Sequence, residues 1–105
     1  MEIRRSTYFV LAALLDGPLH GYGIIGRAAE LSGGEVRLST GTLFGALDRL
    51  VESGLVEAGE EEKVEGRVRR AYTLTREGHA ALAGEAARLR RAASVVETRV
   101  ARVAT

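Results

Sequence analysis

Leu82, Ala86, Leu89, Ala93, Val96, Val100 and Val103 stand alternately four and three residues apart, a heptad seam sustained for three repeats. This spacing lays one continuous apolar stripe along a helix, and Glu85, Arg90, Glu97 and Arg99 flank it as e and g positions do. A helix lying on its own core is the simplest reading. Residues 1–75, however, form too small a body to cover so long a stripe. The seam therefore predicts two units: a compact domain over 1–75 and a C-terminal dimerisation helix over 76–105. A second copy of the chain is the expected cover.

Within the first unit, the apolar run Tyr8 to Leu15 lies in a helix expected over Arg4–Leu15. It is apolar on all sides, so burial on more than one face is expected, with Tyr8 and Phe9 near the dimer interface. Asp16-Gly17-Pro18 breaks the chain. A second helix is expected from His20 to Leu31, with Ile24, Ile25, Ala28 and Leu31 inward and Gly33-Gly34 as its stop. Val36 to Leu38 reads as a short extended piece leading to Ser39, the expected N-cap of a third helix that ends before Gly54.

Leu55–Glu62 and Arg67–Leu74 read as two strands of a hairpin, with Val68, Tyr72 and Leu74 on one face and Arg67 and Arg69 on the other. Lys63 falls in the expected turn. Thr75 is the expected N-cap of the last helix, with Glu77 in its first turn. The order helix, helix, short strand, helix, strand, strand predicts a mainly α fold with a small β-hairpin. It is a winged helix-turn-helix with an added C-terminal helix.

The third helix begins oddly. Leu43, Leu47 and Leu50 give it a buried face, yet its first turns hold Ser39, Thr40, Gly41, Thr42 and Gly45. A glycine inside a helix costs about 1 kcal/mol relative to alanine. With Leu43 inward, a step of 100° per residue turns Gly41, Gly45, Asp48 and Glu52 outward and leaves Arg49 at the edge. Only the N-terminal end of this face can approach a polyanion closely. There free N–H groups and the helix dipole suit a phosphate, and the hydroxyls of Ser39, Thr40 and Thr42 suit phosphates or base edges. On the hairpin, Arg67, Arg69 and Lys63 are the expected second contact. Glu57 and Glu60 to Glu62 are placed to neutralise those arginines.

Composition narrows the alternatives. Hydrophobic content of 46% and charged content of 28% describe a soluble globular protein. With no cysteine there is no disulfide, thiol nucleophile or cysteine metal site. His20 and His79 stand in unrelated contexts and read as surface or cap residues. Fourteen of the fifteen basic residues are arginine, the preferred phosphate reader, although net charge is only +1. Gly21-x-Gly23-x-x-Gly26 matches a dinucleotide-binding fingerprint by letter but follows Pro18 rather than a strand. No catalytic constellation, cofactor site or metal spacing is expected. No apolar run reaches the ~20 residues of a membrane span, so a cytoplasmic location is the default.

Taken together, Gly21-Tyr22, Ser39-x-Gly41-Thr42-Leu43, Leu47-x-Arg49-Leu50, Gly54-Leu55 and Arg70-x-Tyr72-x-Leu74-Thr75-x-x-Gly78 resemble the PadR family of bacterial transcriptional regulators. The resemblance covers nearly the whole chain and is similar to the compact subgroup with one C-terminal helix. It implies a homodimer joined through that helix and helix one, binding a palindromic double-stranded DNA operator, by family habit as a repressor. It also implies DNA contacts at Tyr22, Ser39, Thr42 and Phe44. The family usually has Tyr-Pro where this chain has Phe44-Gly45, so residue 44 lacks the hydroxyl that commonly reaches a phosphate. Some relatives take phenolic acids or planar drugs. A small hydrophobic or aromatic effector here would stack on Tyr8 and Phe9, whose simpler role is packing. The alternative is a winged-helix protein-interaction module that does not read DNA, favoured by the near-neutral charge and by Asp48 and Glu52.

Overall fold

A computed structural model describes residues 3–104, so the expected outer limits of the two units, residues 1 and 105, lie outside the described residues. The order is α1 (Arg5–Ala13), α2 (Gly21–Leu31), α3 (Thr40–Glu52), β1 (Val56–Ala58), β2 (Glu62–Val64), β3 (Arg67–Arg69), β4 (Tyr72–Leu74) and α4 (Arg76–Ala104). Three helices, an antiparallel hairpin and a long last helix make the mainly α winged helix-turn-helix expected from the sequence.

One apolar core joins these elements: Val10, Leu11 and Leu14 of the α1 region, Ile24, the Leu43, Leu47 and Leu50 row of α3, Val56, Tyr72, Leu74 and Leu82. Ser39 caps α3, its hydroxyl oxygen accepting from the Thr42 N–H at 3.2 Å. Gly33 and Gly34, at φ 65° and 86°, end α2, and the Gly34 N–H donates to the Ala29 carbonyl at 2.7 Å. Leu31, expected inward, is 40% exposed, because α2 buries only Gly21, Ile24 and Ala28 and its C-terminal end reaches past the core.

The wing differs from the two continuous strands predicted. β1 pairs with β4, setting Val56 against Leu74 and Ala58 against Tyr72, while β2 pairs with β3 as a separate outer ladder. The inner ladder lies over the core. The outer one has none beneath it, and Val68 is 62% exposed instead of sharing the buried face of Tyr72 and Leu74. Lys63 sits within β2 opposite Val68, not in the turn. The turn is Glu65-Gly66, both with positive φ, the two-residue form that suits the twist of a hairpin. No strand forms from Val36 to Leu38, where the sequence predicts a short one. Leu19 makes the third strand-like connection instead, its N–H donating to the Tyr72 carbonyl at 3.2 Å and its carbonyl accepting from the Tyr72 N–H at 2.9 Å.

Where α4 leaves the domain, Thr75 performs two tasks. Its hydroxyl donates to the Gly54 carbonyl at 2.6 Å and accepts from the Gly78 N–H at 3.0 Å. Gly78 then lies against the Leu55 carbonyl, and a β-carbon there would also stand 2.6 Å from Cδ1 of Leu74. That carbonyl is already held by the Thr75 N–H and cannot retreat. Gly78→Ala is expected to destabilise the fold by about 1–3 kcal/mol through overpacking, outweighing the ~1 kcal/mol helix-propensity gain. An unchanged or raised urea midpoint would show that the site relaxes without cost.

Beyond the domain α4 runs alone. Leu82 is buried and Ala86 half-buried, but every residue from Arg88 to Val103 is exposed in the single chain. Exposure along the seam rises from 5% at Leu82 through 40% at Leu89 to 88% at Val103.

Candidate nucleic-acid interface

The first turn of α3 is built as an anion cradle. Among the described residues no acceptor engages the Thr40 and Gly41 N–H groups, as expected for a helix start. Ser39 donates its single hydroxyl proton to Oγ1 of Thr42 at 3.0 Å while accepting the Thr42 N–H. The Thr42 hydroxyl proton is therefore left for an outside acceptor. Ser39, Thr40, Gly41 and Thr42 are all exposed, and a β-carbon at Gly41 would meet nothing within 4 Å. The fold itself makes no use of a bare backbone there.

Phe44 lies beside this turn with its ring against the start of α2. A β-carbon at Gly21 would stand 2.6 Å from Cζ of Phe44, so the absence of a side chain at 21 makes room for the ring. Phe44 remains 42% exposed and Tyr22, the next residue along α2, is 73% exposed. Together with His20, Gly21, Tyr72, Glu61, Val68, Arg69 and Arg70 they line a cleft of about 280 Å³ between the helices and the wing. Burial pushes the Tyr72 phenol above its ordinary range, with Arg70 opposing and Asp48 adding, so it enters the cleft neutral. His20 occupies the N-cap position of α2 without a side-chain cap bond.

The wing arginines are arranged differently from expectation. Glu62 stands opposite Arg69 and Val64 opposite Arg67, so these four share one face, while Lys63 and Val68 take the other. Lys63 is thus separated from Arg67 and Arg69. Of the acidic run, Glu61 pairs with Arg70 at 2.8 Å; among the described residues no ion pair engages Arg67 or Arg69. A second recess of about 330 Å³, lined by Tyr22, Val64, Glu65, Arg67, Val68 and Arg69, continues the cleft toward the wing tip. Tyr22, Phe44, Arg67 and Arg69 are therefore brought to one concave strip. Ser39, Thr40, Gly41 and Thr42 open the helix that carries Phe44. Arg49 lies farther along α3, exposed, with its guanidinium over Gly45.

Of the residues expected at a dimer interface, Leu82 is instead part of the protomer's own core, because the first turns of α4 lie on the domain, while Tyr8, Phe9 and Leu89 gather at one place. Tyr8 and Phe9 meet edge to face, with ring centroids 5.3 Å apart. They line an open cavity of about 420 Å³ with Ile3, Arg5, Glu85, Arg88 and Leu89, between α1 and α4. Arg88 holds the Glu85 carboxylate in a two-point grip and keeps its pKa below the usual range. Ala86, Ala93, Val96, Val100 and Val103 continue along α4.

Sequence reasoning missed the cleft's other walls, His20, Gly21, Glu61, Val68, Arg70 and Tyr72. Only the fold folds the wing back onto the start of α2, although the pairing of Leu19 with Tyr72 shows how it does so.

The sequence model of the "Transcriptional regulator PadR-like family" matches residues 10–84. A Streptomyces fradiae protein described as an uncharacterized 37.1 kDa protein in transposon TN4556 is 43% identical over 86 residues, which are 82% of this chain and 23% of that protein. The Transcriptional regulator Rv3488 of Mycobacterium tuberculosis is 40% identical over 73 residues, 70% of this chain and 64% of that regulator. Among solved structures, Bacillus subtilis PadR in complex with operator DNA shares the fold, with a TM-score of 0.67 and 24% identity over 77% of this chain and 47% of that one. The chain spans less than two thirds of each of these three proteins. Helix-turn-helix, wing and the greater part of the motif run all fall within the matched residues, and the chain belongs to the PadR-like family of transcriptional regulators.

Proposed function

We propose that this chain is a sequence-specific DNA-binding regulator that acts as a homodimeric repressor on a palindromic operator. The observation that carries the reading is the first turn of α3: two N–H groups with no acceptor among the described residues, a Thr42 hydroxyl placed to donate, and open space above Gly41. Tyr22, Phe44, Arg67 and Arg69 extend that surface toward the wing. The operator-bound state of Bacillus subtilis PadR supports DNA as the partner. The exposed seam from Leu89 to Val103 supports a second copy along α4. A small aromatic effector would enter the cavity beside Tyr8 and Phe9, where that second copy would close it. Asp48 and Glu52, exposed on the outer face of α3, favour a second reading in which the winged helix docks a protein instead.

Fluorescence anisotropy separates the two. Against the chain's own upstream intergenic DNA, with a scrambled duplex as control, binding should be tight, sequence-dependent and weakened by salt. Six to ten phosphate contacts imply a loss of roughly 10³ to 10⁵ in affinity between about 50 and 200 mM salt. If duplexes selected from random DNA also bind no better than the scrambled one, the protein-docking reading takes its place.

A further inference from the structure

Arg49 is the one basic residue of α3, four positions after Gly45 and hence one turn along the same side. Glu52, three positions on, offers it a carboxylate, yet among the described residues no ion pair engages Arg49. Instead the side chain leans toward the helix N-terminus, the direction helical side chains favour. Its Nη1 comes to 3.6 Å from where a β-carbon of residue 45 would be. The guanidinium therefore lies over bare backbone, on the exposed side of the helix whose first turn forms the anion cradle.

Its neighbour decides what it can read. Asp48 is exposed about 100° away around the same helix, and its carboxylate repels a phosphate approaching the outer face. A guanine edge is uncharged and offers N7 and O6 side by side, the acceptor pair that a guanidinium fork matches. We propose that Arg49 is a specificity-determining residue that reads a guanine in the major groove of each half-site, and that Gly45 is the positioning residue that lets it lie there. This rests on the DNA-binding reading above and deepens it from phosphate contact to base readout.

The test starts with duplexes selected from random DNA by the wild-type protein. If nothing is enriched, the DNA-binding reading fails and this proposal with it. Given an enriched site, affinities are measured for single-base variants with wild type, Arg49→Ala and Arg49→Lys, folding being checked by circular dichroism. Arg49→Ala should lose roughly ten- to a hundredfold on the selected site. On the variant lacking one G·C pair per half-site it should lose almost nothing further. Arg49→Lys keeps the charge but not the planar fork, and should weaken the base preference less than Arg49→Ala does. Gly45→Ala, which adds only an ordinary contact at 3.6 Å, should keep the preference. Gly45→Val, whose γ-carbons take the guanidinium's place, should erase it. A uniform loss across all sequences, with the salt slope reduced by about one, would make Arg49 a phosphate contact and overturn the proposal. Unchanged affinity in Arg49→Ala would overturn it as well.

Discussion

Thr42→Asp should lower operator affinity by at least about a hundredfold while leaving the fold as stable as before, or slightly more so. The two effects have opposite signs because residue 42 stands in the first turn of α3, three after its cap. A carboxylate there faces the helix's own N–H groups and the positive end of its dipole, worth about 0.3–1 kcal/mol in the free protein. The same carboxylate would stand where the Thr42 hydroxyl is left to meet a phosphate. Setting like charges together at an interface costs several kcal/mol, and about 2.8 kcal/mol is a hundredfold. A symmetric dimer suffers the loss at both half-sites. Paired measurements of thermal midpoint and DNA affinity check it. If affinity is retained, the start of α3 is no part of the contact surface.

Leu89→Asp should abolish the dimer without unfolding the protomer. Leu89 is 40% exposed in the single chain and lies outside the buried core, so the protomer does not depend on it. In an α4 seam pressed against a second copy, the same residue would be covered on all sides, beside Tyr8 and Phe9 at the mouth of the α1–α4 cavity. An unpaired carboxylate buried there should weaken association by at least about a hundredfold. Light scattering should report twice 11.2 kDa for the wild type and 11.2 kDa for the variant. Thermal stability should depend on concentration only for the wild type. Operator binding should fall too, since two linked half-sites lose their shared contribution. A variant of unchanged dimer mass would show that the seam is not the joint.

The helices were legible because their signals are local. Leu43, Leu47 and Leu50 recur at helical spacing and all three are buried in α3. Ser39 and Thr75 cap because a hydroxyl before a helix bonds an N–H two or three residues on, wherever the helix sits in the fold. Leu31 misled because periodicity names the apolar side of a helix but not how far the neighbouring elements reach along it. The wing was legible as a hairpin and not as two ladders. The alternation from Arg67 to Leu74 is continuous in sequence, whereas burial stops where the core stops, between β3 and β4.

The candidate site divides in the same way. Ser39, Thr40, Gly41 and Thr42 were marked by composition alone, because hydroxyls and glycine in a well-patterned helix have no local reason to be there. That Phe44 rests on Gly21 comes from the crossing of α2 and α3, which brings residues far apart in the chain together. That Lys63 faces away from Arg67 and Arg69 comes from the register set by the Glu65-Gly66 turn, since a one-residue shift in a hairpin moves a side chain to the opposite face. Sequence alone determined the order of the helices and the hairpin, the caps and the long apolar seam of α4, all written in spacings of three to seven residues. Only tertiary structure decided which arginines pair, which aromatic rings meet and where burial ends, because those depend on distances between segments that periodicity within one segment does not encode.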